Sequence, residues 1–335
     1  MKNILITGAS GFIGSFLVEE ALKKNYRTFA GMRSSSSTAW LQEPHPHLHF
    51  LELDFSNEAI LENQLKKNAA GFGRFDIIIH SAGLTKSIVP SDYFRVNHTN
   101  TETLVNSLIR LNLVPDKFIL ISSLAAYGPG KSGGLPIDTL QLQQPVTAYG
   151  KSKLAAEQFL KQTVDFPFII INPTTVYGPR EKDLLVLIQS INQHLELYIG
   201  SKKQQLSFIH VADVCKAVFL SIDQPIVNQA LIISDTFNYA APEFNGLVKK
   251  ILGKKTVPLV VPVGIARLAA KLSDRIGQYQ QKTPIFNSER LSEFEADNWA
   301  VDAKPLVQLG FTPDYPLEAG LKHTIDWYKA QGWIK

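Results

Sequence analysis

Two side chains at helical spacing carry the clearest chemical suggestion in this chain. Tyr149 and Lys153 are four apart in Tyr149-Gly150-Lys151-Ser152-Lys153, and residues four apart on a helix sit one turn apart on one face. A phenol with an ordinary pKa of ~10 is a poor base at neutral pH. A neighbouring ammonium favours the phenolate, so Tyr149 could exchange a proton with a substrate hydroxyl or carbonyl, and Lys153 could also reach a ribose. Ser122 and Ser123 follow the apolar run 117–121, in Ser122-Ser123-Leu124-Ala125-Ala126-Tyr127-Gly128. Their side chains diverge if both stay strand-like, and Ser123 is the preferred donor to the same oxygen. Each feature also has an ordinary reading. Tyr-x-x-x-Lys arises by chance in many helices, and a serine after a strand often bonds local backbone.

A glycine turn supplies the second suggestion. Thr7-Gly8-Ala9-Ser10-Gly11-Phe12-Ile13-Gly14 lies between a strand-like run and a helix-like one. Gly8 permits the tight turn, Gly11 lets backbone N–H groups approach a pyrophosphate, and Gly14 allows close helix–strand packing. Ser10, Phe12 and Ile13 complete the expected cradle. The spacing is one residue longer than G-x-G-x-x-G, so the context of strand before and helix after carries the assignment. At the end of the second apolar run the chain reads Gly31-Met32-Arg33-Ser34-Ser35, with no acid until Glu43. Sites for NAD place an acid there for the ribose 2′-OH. A guanidinium suits a 2′-phosphate instead. NADP(H) is therefore favoured, NAD(H) stays open, and the alternative for Arg33 is a solvated charge.

These residues need a scaffold, and the hydrophobic pattern offers one. Strands are expected at 4–6, 26–32, 48–53, 75–79, 117–121 and 166–171, and helices at 12–22, 57–67, 92–111 and 148–162. Strands separated by helical crossovers imply a doubly wound parallel sheet covered on both faces, an α/β fold of Rossmann type. After Pro173 the pattern loosens. Helices are expected at 184–192, 212–221, 242–251, 262–276 and 316–330, with strands at 195–199, 206–208 and 230–233. The expected organisation is a dinucleotide-binding domain over 1–173 with Ser123, Tyr149 and Lys153. A smaller, mostly helical substrate lobe is expected over 174–335, with interleaving of the two in sequence left open.

Composition sets the bounds. At ~150 residues per domain, 335 residues make about two domains or one large α/β unit. Apolar residues are 45% and charged residues 19%, a folded-domain balance. The net charge is +4, from 34 cations and 30 acids, with no aromatic RNA-binding signature, so no nucleic-acid partner is expected. One cysteine, Cys215, rules out an internal disulfide framework. No run approaches ~18 apolar residues, so no membrane partner is expected. The opening MKNILITGAS enters a strand without a signal-like region, and a cytoplasmic location is expected. His45, His47 and His49 alternate in a proline-rich stretch, but no cysteine or carboxylate pattern joins them, and no metal is expected. Trp299, Trp327 and Trp333 read as packing residues of the second lobe.

Taken in order, residues 7–14, Leu53-Asp54, His80-Ser81-Ala82-Gly83, Val96-Asn97, and residues 122–128, 149–153, 172–179 and 208–213 resemble the extended short-chain dehydrogenase/reductase superfamily. This group is also described as the NAD-dependent epimerase/dehydratase family. The resemblance implies a Rossmann domain in which Ser123 orients the substrate oxygen, Tyr149 is the acid/base, and Lys153 tunes Tyr149 and holds the ribose. It further implies that Asp54 and Phe55 border the adenine, that Ala82, Gly83 and Pro173 pass beside the cofactor, and that Asn97 organises the strand-end loops. By composition alone Asp54 could simply cap the next helix. His80 is expected packed near the cofactor, neither base nor ligand.

Two departures bear on substrate. Leu206-Ser207 stand where sugar-nucleotide enzymes of the family carry Arg-Asp, and Asn172 where many carry Arg. With apolar runs such as 257–263, these look more like the hydroxysteroid-dehydrogenase and dihydroflavonol-reductase branches, although the runs are more simply read as core. The resemblance implies an NAD(P)(H)-dependent oxidoreductase acting at a secondary alcohol or ketone carbon. The alternatives are a nucleotide-sugar epimerase or dehydratase with a retained cofactor and, further off, a non-catalytic NADP(H)-sensing protein. The two helices 92–111 and 148–162 pair as a dimer interface in many relatives, so a homodimer is open.

Overall fold

Apolar runs become strands here because helices cover both sides of them. The computed structural model describes residues 1–41, 44–280, 282–284 and 286–334; Glu43, the first acid after the second strand, lies outside the described residues. The first half runs β1 (Asn3–Thr7), α1 (Phe12–Lys23), β2 (Arg27–Met32), β3 (Leu48–Glu52), α2 (Glu58–Phe72), β4 (Ile77–His80), α3 (Pro90–Tyr93), α4 (Asn100–Arg110), β5 (Lys117–Ile121), α5 (Ala148–Gln162) and β6 (Phe168–Pro173). The second half opens with β7 (Thr175–Tyr177), α6 (Asp183–Asn192), β8 (Leu195–Ile199), β9 (Gln205–Leu206), β10 (Phe208–His210), α7 (Val211–Asp223) and β11 (Gln229–Ile233). It closes with β12 (Tyr239–Ala240), α8 (Ala241–Leu252), β13 (Val257–Val261), α9 (Val263–Gln280), α10 (Ser288–Phe294), α11 (Lys304–Gln308) and α12 (Leu317–Ala330).

Seven strands form one sheet in the order β11-β6-β5-β4-β1-β2-β3, and every pairing is parallel. Strand alternation splits the core in two. Ile4, Ile6, Ile77, Ile79 and Ile119 face α1 and α7, where Leu17, Val18, Val214 and Phe219 meet them. Leu5, Ile78, Phe118, Leu120 and Ile170 face α2, α4 and α5, against Leu61, Leu104, Leu108 and Leu160. With both faces buried the inner strands β1, β4, β5 and β6 have no solvent side, which is why they read as unbroken apolar runs. The last strand and α7 come from the second half of the chain, so residues 211–233 pack with this sheet. A third cluster joins α6, α8 and α12 through Leu184, Ile188, Phe244, Leu321 and Tyr328.

Three expectations change. The helix expected over 92–111 is broken into α3, a π-helical turn at Phe94–Thr99, and α4. Apolar spacing does not register the break, because its cause is polar: Asn97 is buried in that turn with both amide atoms hydrogen-bonded to other segments. The strand expected over 206–208 is two strands with different partners, β9 on β12 and β10 on β7. Ser207 separates them, its buried hydroxyl 2.5 Å from Asn238 Oδ1 and 3.0 Å from the Trp299 carbonyl. The run 257–263, read as core, lies largely at the surface: Val257, Leu259 and Val260 are exposed in β13. Among the described residues that strand pairs only with β8.

Candidate active site

Strand order reverses between β1 and β4, the neighbours from which the chain departs in opposite directions across the sheet. A crevice opens at such a point beyond the carboxyl ends of the strands. The glycine turn emerges there from β1, and the Ser81-Ala82-Gly83 loop from β4. Gly8 has φ +65°, and a Cβ on it would lie 2.7 Å from Ala82 Cα. A Cβ on Gly14 would lie 2.1 Å from the Gly8 carbonyl oxygen. Both positions therefore require hydrogen as the side chain. Gly11 caps α1 without a side-chain bond, and the first helical donation is Ser15 N–H to Gly11 O. The N–H groups of Phe12, Ile13 and Gly14 are thus left without intrahelical partners at the positive end of the helix. A bare backbone cradle of this kind fits a pyrophosphate. Ser10 and Gly11 lie on its outer side, half-buried and exposed.

Two further expected positions lie at the same edge of the sheet. Arg33 follows β2, is exposed, and has no side-chain partner among the described residues. Asp54 follows β3, but it does not cap α2. Its carboxylate accepts from Ser56 N–H and Oγ, which holds it below the usual carboxylate range, while Asn57 caps the helix by accepting from Ile60 N–H. Phe55 next to it packs edge-on near His80, with ring centroids 5.9 Å apart. His80 itself is fully buried between Thr7 Oγ1 at 2.8 Å and Thr101 Oγ1 at 3.1 Å. Burial, with Lys153 nearby, pushes its pKa down to about 3, so it is a neutral spacer. Pro173 ends β6 with Asn172 beside it, and both are buried.

The chemistry-bearing groups meet around Tyr149. Thr147 caps α5 by accepting from Gly150 N–H at 3.0 Å, which starts the helix one residue before the tyrosine. Ser123 Oγ accepts from Ala125 N–H at 3.1 Å, leaving its one proton to be donated to the Tyr149 phenol oxygen. Burial pushes the Tyr149 phenol up to about 12, and the Ser123 hydrogen bond works against that. Ser122 points the other way, into a buried bond with Glu157. Lys153 is buried, with Nζ 2.9 Å from the Ile121 carbonyl, and burial lowers it to about 8. A Cβ on Gly83 would lie 3.1 Å from that ammonium and 3.1 Å from Asn97 Oδ1, so the β4 loop runs against both side chains. Glu293 and Arg290 also bear on the Tyr149 phenol, while the Lys153 ammonium reaches the carbonyl at the end of β5.

Of the other contributing residues, Asn97 is the loop-organising residue the resemblance implies, while Glu157 and the α10 residues were not singled out by sequence. Asn97 bridges the β4 loop to α5, accepting from Leu84 N–H at 2.7 Å and donating to Ser152 Oγ at 2.9 Å. Glu157 is a buried carboxylate that takes bonds from Ser122, from Asn172 Nδ2 at 2.6 Å and from Gln143 Nε2 at 2.7 Å, pinning β5, β6 and α5 together behind Ser123. Its i+8 spacing from Tyr149 could have marked it as a neighbour on α5. Over the phenol, α10 docks through Glu289, which accepts from Ala148 N–H at 2.8 Å. Arg290 and Lys86 both pair with Asp183. Burial pushes Glu293 up to about 7 against the pull of Arg290. Ala148 and Glu289 lie 141 residues apart in sequence, so no local motif announces this docking.

The geometry is of a kind seen elsewhere. A family model described as the NAD dependent epimerase/dehydratase family matches residues 4–233. The chain is 25% identical over 335 residues to a ceramide reductase of Caulobacter vibrioides, covering 99% of this chain and 96% of that protein. It is 27% identical to a UDP-glucose 4-epimerase of Vibrio cholerae, covering 96% and 94%. Among solved structures it resembles a dTDP-glucose 4,6-dehydratase from Bacillus anthracis in complex with NAD. The TM-score there is 0.78 at 19% identity, with 99% and 98% of the chains covered, a likeness of fold. With the doubly wound sheet, the glycine cradle and the Ser–Tyr–Lys neighbourhood in place, the chain belongs to the NAD-dependent epimerase/dehydratase family, enzymes of the extended short-chain dehydrogenase/reductase type.

Proposed function

We propose that this protein is an NADP(H)-dependent oxidoreductase that interconverts a secondary alcohol and a ketone on a substrate without a nucleotide diphosphate. What supports the reading is that Ser123, directly after β5, and Tyr149, in the first turn of α5, interact through their hydroxyls. The N–H groups of Phe12, Ile13 and Gly14 would hold the pyrophosphate, Arg33 the 2′-phosphate, and Lys153 the ribose next to Gly83. When bound, the nicotinamide supplies or takes up the hydride. Everything else falls to the chain. Ser123 donates to the substrate oxygen and fixes its position. Tyr149 gives its phenolic proton to that oxygen during reduction and takes it back during oxidation. The two hydroxyls together stabilise the charge that develops there. With its pKa near 12 in the free protein, the phenol is stored protonated, which suits the reductive direction. The segment α10 roofs the phenol and would limit water.

Support for a substrate lacking a diphosphate comes from the two departed positions. Leu206, half-buried, stands at the first Arg position and Asn172, buried with its Nδ2 bonded to Glu157 and the Ser123 carbonyl, at the second, so neither offers a cation to an anionic substrate. The ceramide reductase relative acts on such a substrate, whereas the epimerase relative favours the second reading, nucleotide-sugar epimerisation. The test is a panel of apolar ketones with NADPH or NADH beside a panel of nucleotide sugars, read by cofactor absorbance and mass spectrometry. Ketone-dependent NADPH consumption is expected. Tyr149→Phe is expected to lower kcat by at least about 100-fold while leaving the NADPH Kd within about twofold. Nucleotide-sugar conversion with no net cofactor consumption would overturn the ketone reading, and full activity of Tyr149→Phe would overturn the assignment of the acid.

A further inference from the structure

Helix α9 is built inside out. Its buried positions are small, Ala266, Ala270 and Gly277, and they sit against Leu291 with Ile199 and Val261 alongside. Its large apolar residues point outward: Ile265, Leu268, Leu272, Ile276 and Tyr279 are 48% to 92% exposed. Their spacing of i, i+3, i+7, i+11 and i+14 sets them in one stripe. A second stripe at i, i+4 and i+8 carries Arg267, Lys271 and Arg275, all exposed. The apolar surface extends onto the adjacent strands, because Leu195 pairs with Val257 and Leu197 with Leu259 in register, and all four are exposed. They share a sheet face with Ile199 and Val261, the pair that meets α9.

Charge singles out the same region. Residues 249–282 hold eight cations (Lys249, Lys250, Lys254, Lys255, Arg267, Lys271, Arg275 and Lys282) against one acid, Asp274. That is a net +7 in 34 residues of a chain whose total is +4, so the remainder of the protein is net acidic. Lys249, Lys250 and Arg267 are paired with Glu196, Glu318 and Glu295. Among the described residues Lys254, Lys255, Lys271, Arg275 and Lys282 have no ion-pair partner. An apolar stripe flanked by unpaired cations is complementary to a surface that is negative outside and hydrocarbon beneath. No helix among the described residues is long and apolar enough to cross a membrane. A helix can nevertheless lie in the interface plane with its apolar stripe a few ångströms below the headgroups.

We propose that α9 and the β8–β13 edge form a docking surface for an anionic phospholipid bilayer, on which the protein sits peripherally. The test is co-sedimentation of the full chain with vesicles of phosphatidylcholine alone and with about 30% phosphatidylglycerol added. Binding to the anionic vesicles is expected, with little to the neutral ones, and raising the salt from about 0.1 to about 0.5 M should weaken it. The double variant Leu268→Glu and Leu272→Glu should lower partitioning by at least about tenfold, as should Lys271→Glu with Arg275→Glu. Unchanged circular dichroism and NADPH affinity would show that the variants are folded. Leu140→Glu, at an exposed leucine outside this surface, should bind as the parent does. Absence of binding to anionic vesicles, or equal binding by the α9 variants, overturns the proposal. So does a parent dimer in light scattering that Leu268→Glu with Leu272→Glu converts to a monomer, since a second copy would then cover the face.

Discussion

Replacing a helical glycine by alanine should have opposite effects at two positions of this protein. Gly14 in α1 and Gly246 in α8 are both helical, and alanine is the better helix former by about 1 kcal/mol at an interior site. At Gly246 the new methyl meets nothing within 4 Å. Gly246→Ala should therefore stabilise the fold by about 0.5–1 kcal/mol. At Gly14 the methyl would lie 2.1 Å from Gly8 O, 2.8 Å from Gly8 C and 3.0 Å from Ala9 Cα. All three are backbone atoms, so no rotamer can relieve the contact. The turn or the helix must move by about 1 Å, at an overpacking cost of about 1–3 kcal/mol that outweighs the propensity gain. The same displacement moves the N–H groups of Phe12, Ile13 and Gly14 away from a phosphate. Loss of one charge-assisted bond at about 1.5–3 kcal/mol weakens NADPH binding by about tenfold or more. Urea unfolding of the two variants and the parent, with NADPH titrations followed by fluorescence, reads both quantities. If Gly14→Ala kept the parent's stability and Kd, the close approach of the cradle to the helix would be wrong. If Gly246→Ala lost stability, the open space assigned to that site would be wrong.

Glu293 and the charge around the phenol give a second prediction. Glu293 raises the Tyr149 phenol, so Glu293→Gln should move the alkaline limb of alcohol oxidation to lower pH, by up to about one unit; a kcat/KM profile that stays in place or moves upward would contradict this. His210 gives a third. Burial, with His323 beside it, lowers its pKa to about 3, so the folded state keeps it neutral while the unfolded chain takes up a proton below about 6.5. Its contribution to stability is complete above that pH and is lost as pH falls toward 3. Asparagine can replace its capping bond to Ala212 N–H without titrating. The stability of the parent relative to His210→Asn should therefore fall by about 1.4 kcal/mol per unit between about pH 6 and pH 4. A pH-independent difference in urea unfolding would show that His210 titrates normally in the fold.

Much of the fold was legible because the sheet is covered on both faces. The buried strands had to be continuous apolar runs, and those of β1, β2, β4, β5 and β6 stand out between amphipathic helices. The chemical motifs were legible for a related reason: a glycine turn or a Tyr-x-x-x-Lys pair is local, and its geometry follows from spacing alone. Departures came where a distant partner outweighed local preference. Asn97 bends a long helix into a π turn because Leu84 and Ser152 claim its amide. Ser207 divides an apolar run because Asn238 and Trp299 hold its hydroxyl. Val257 and Val260 of β13 have the composition of core and lie at the surface, since among the described residues β8 alone pairs with that strand.

The amino-acid order by itself determined the doubly wound class, the place of the glycine turn and the placement of Ser123 after β5 and of Tyr149 and Lys153 on α5, since each rests on contacts within a few residues or on a repeating pattern. Tertiary structure decided what surrounds them. It turned Ser123 rather than Ser122 toward the phenol, tied the Lys153 ammonium to the end of β5, and brought Glu293, Arg290 and α10 over Tyr149. It also left the large residues of α9 outside. Burial and the field of remote charges depend on which segments meet in space, and no local spacing encodes them.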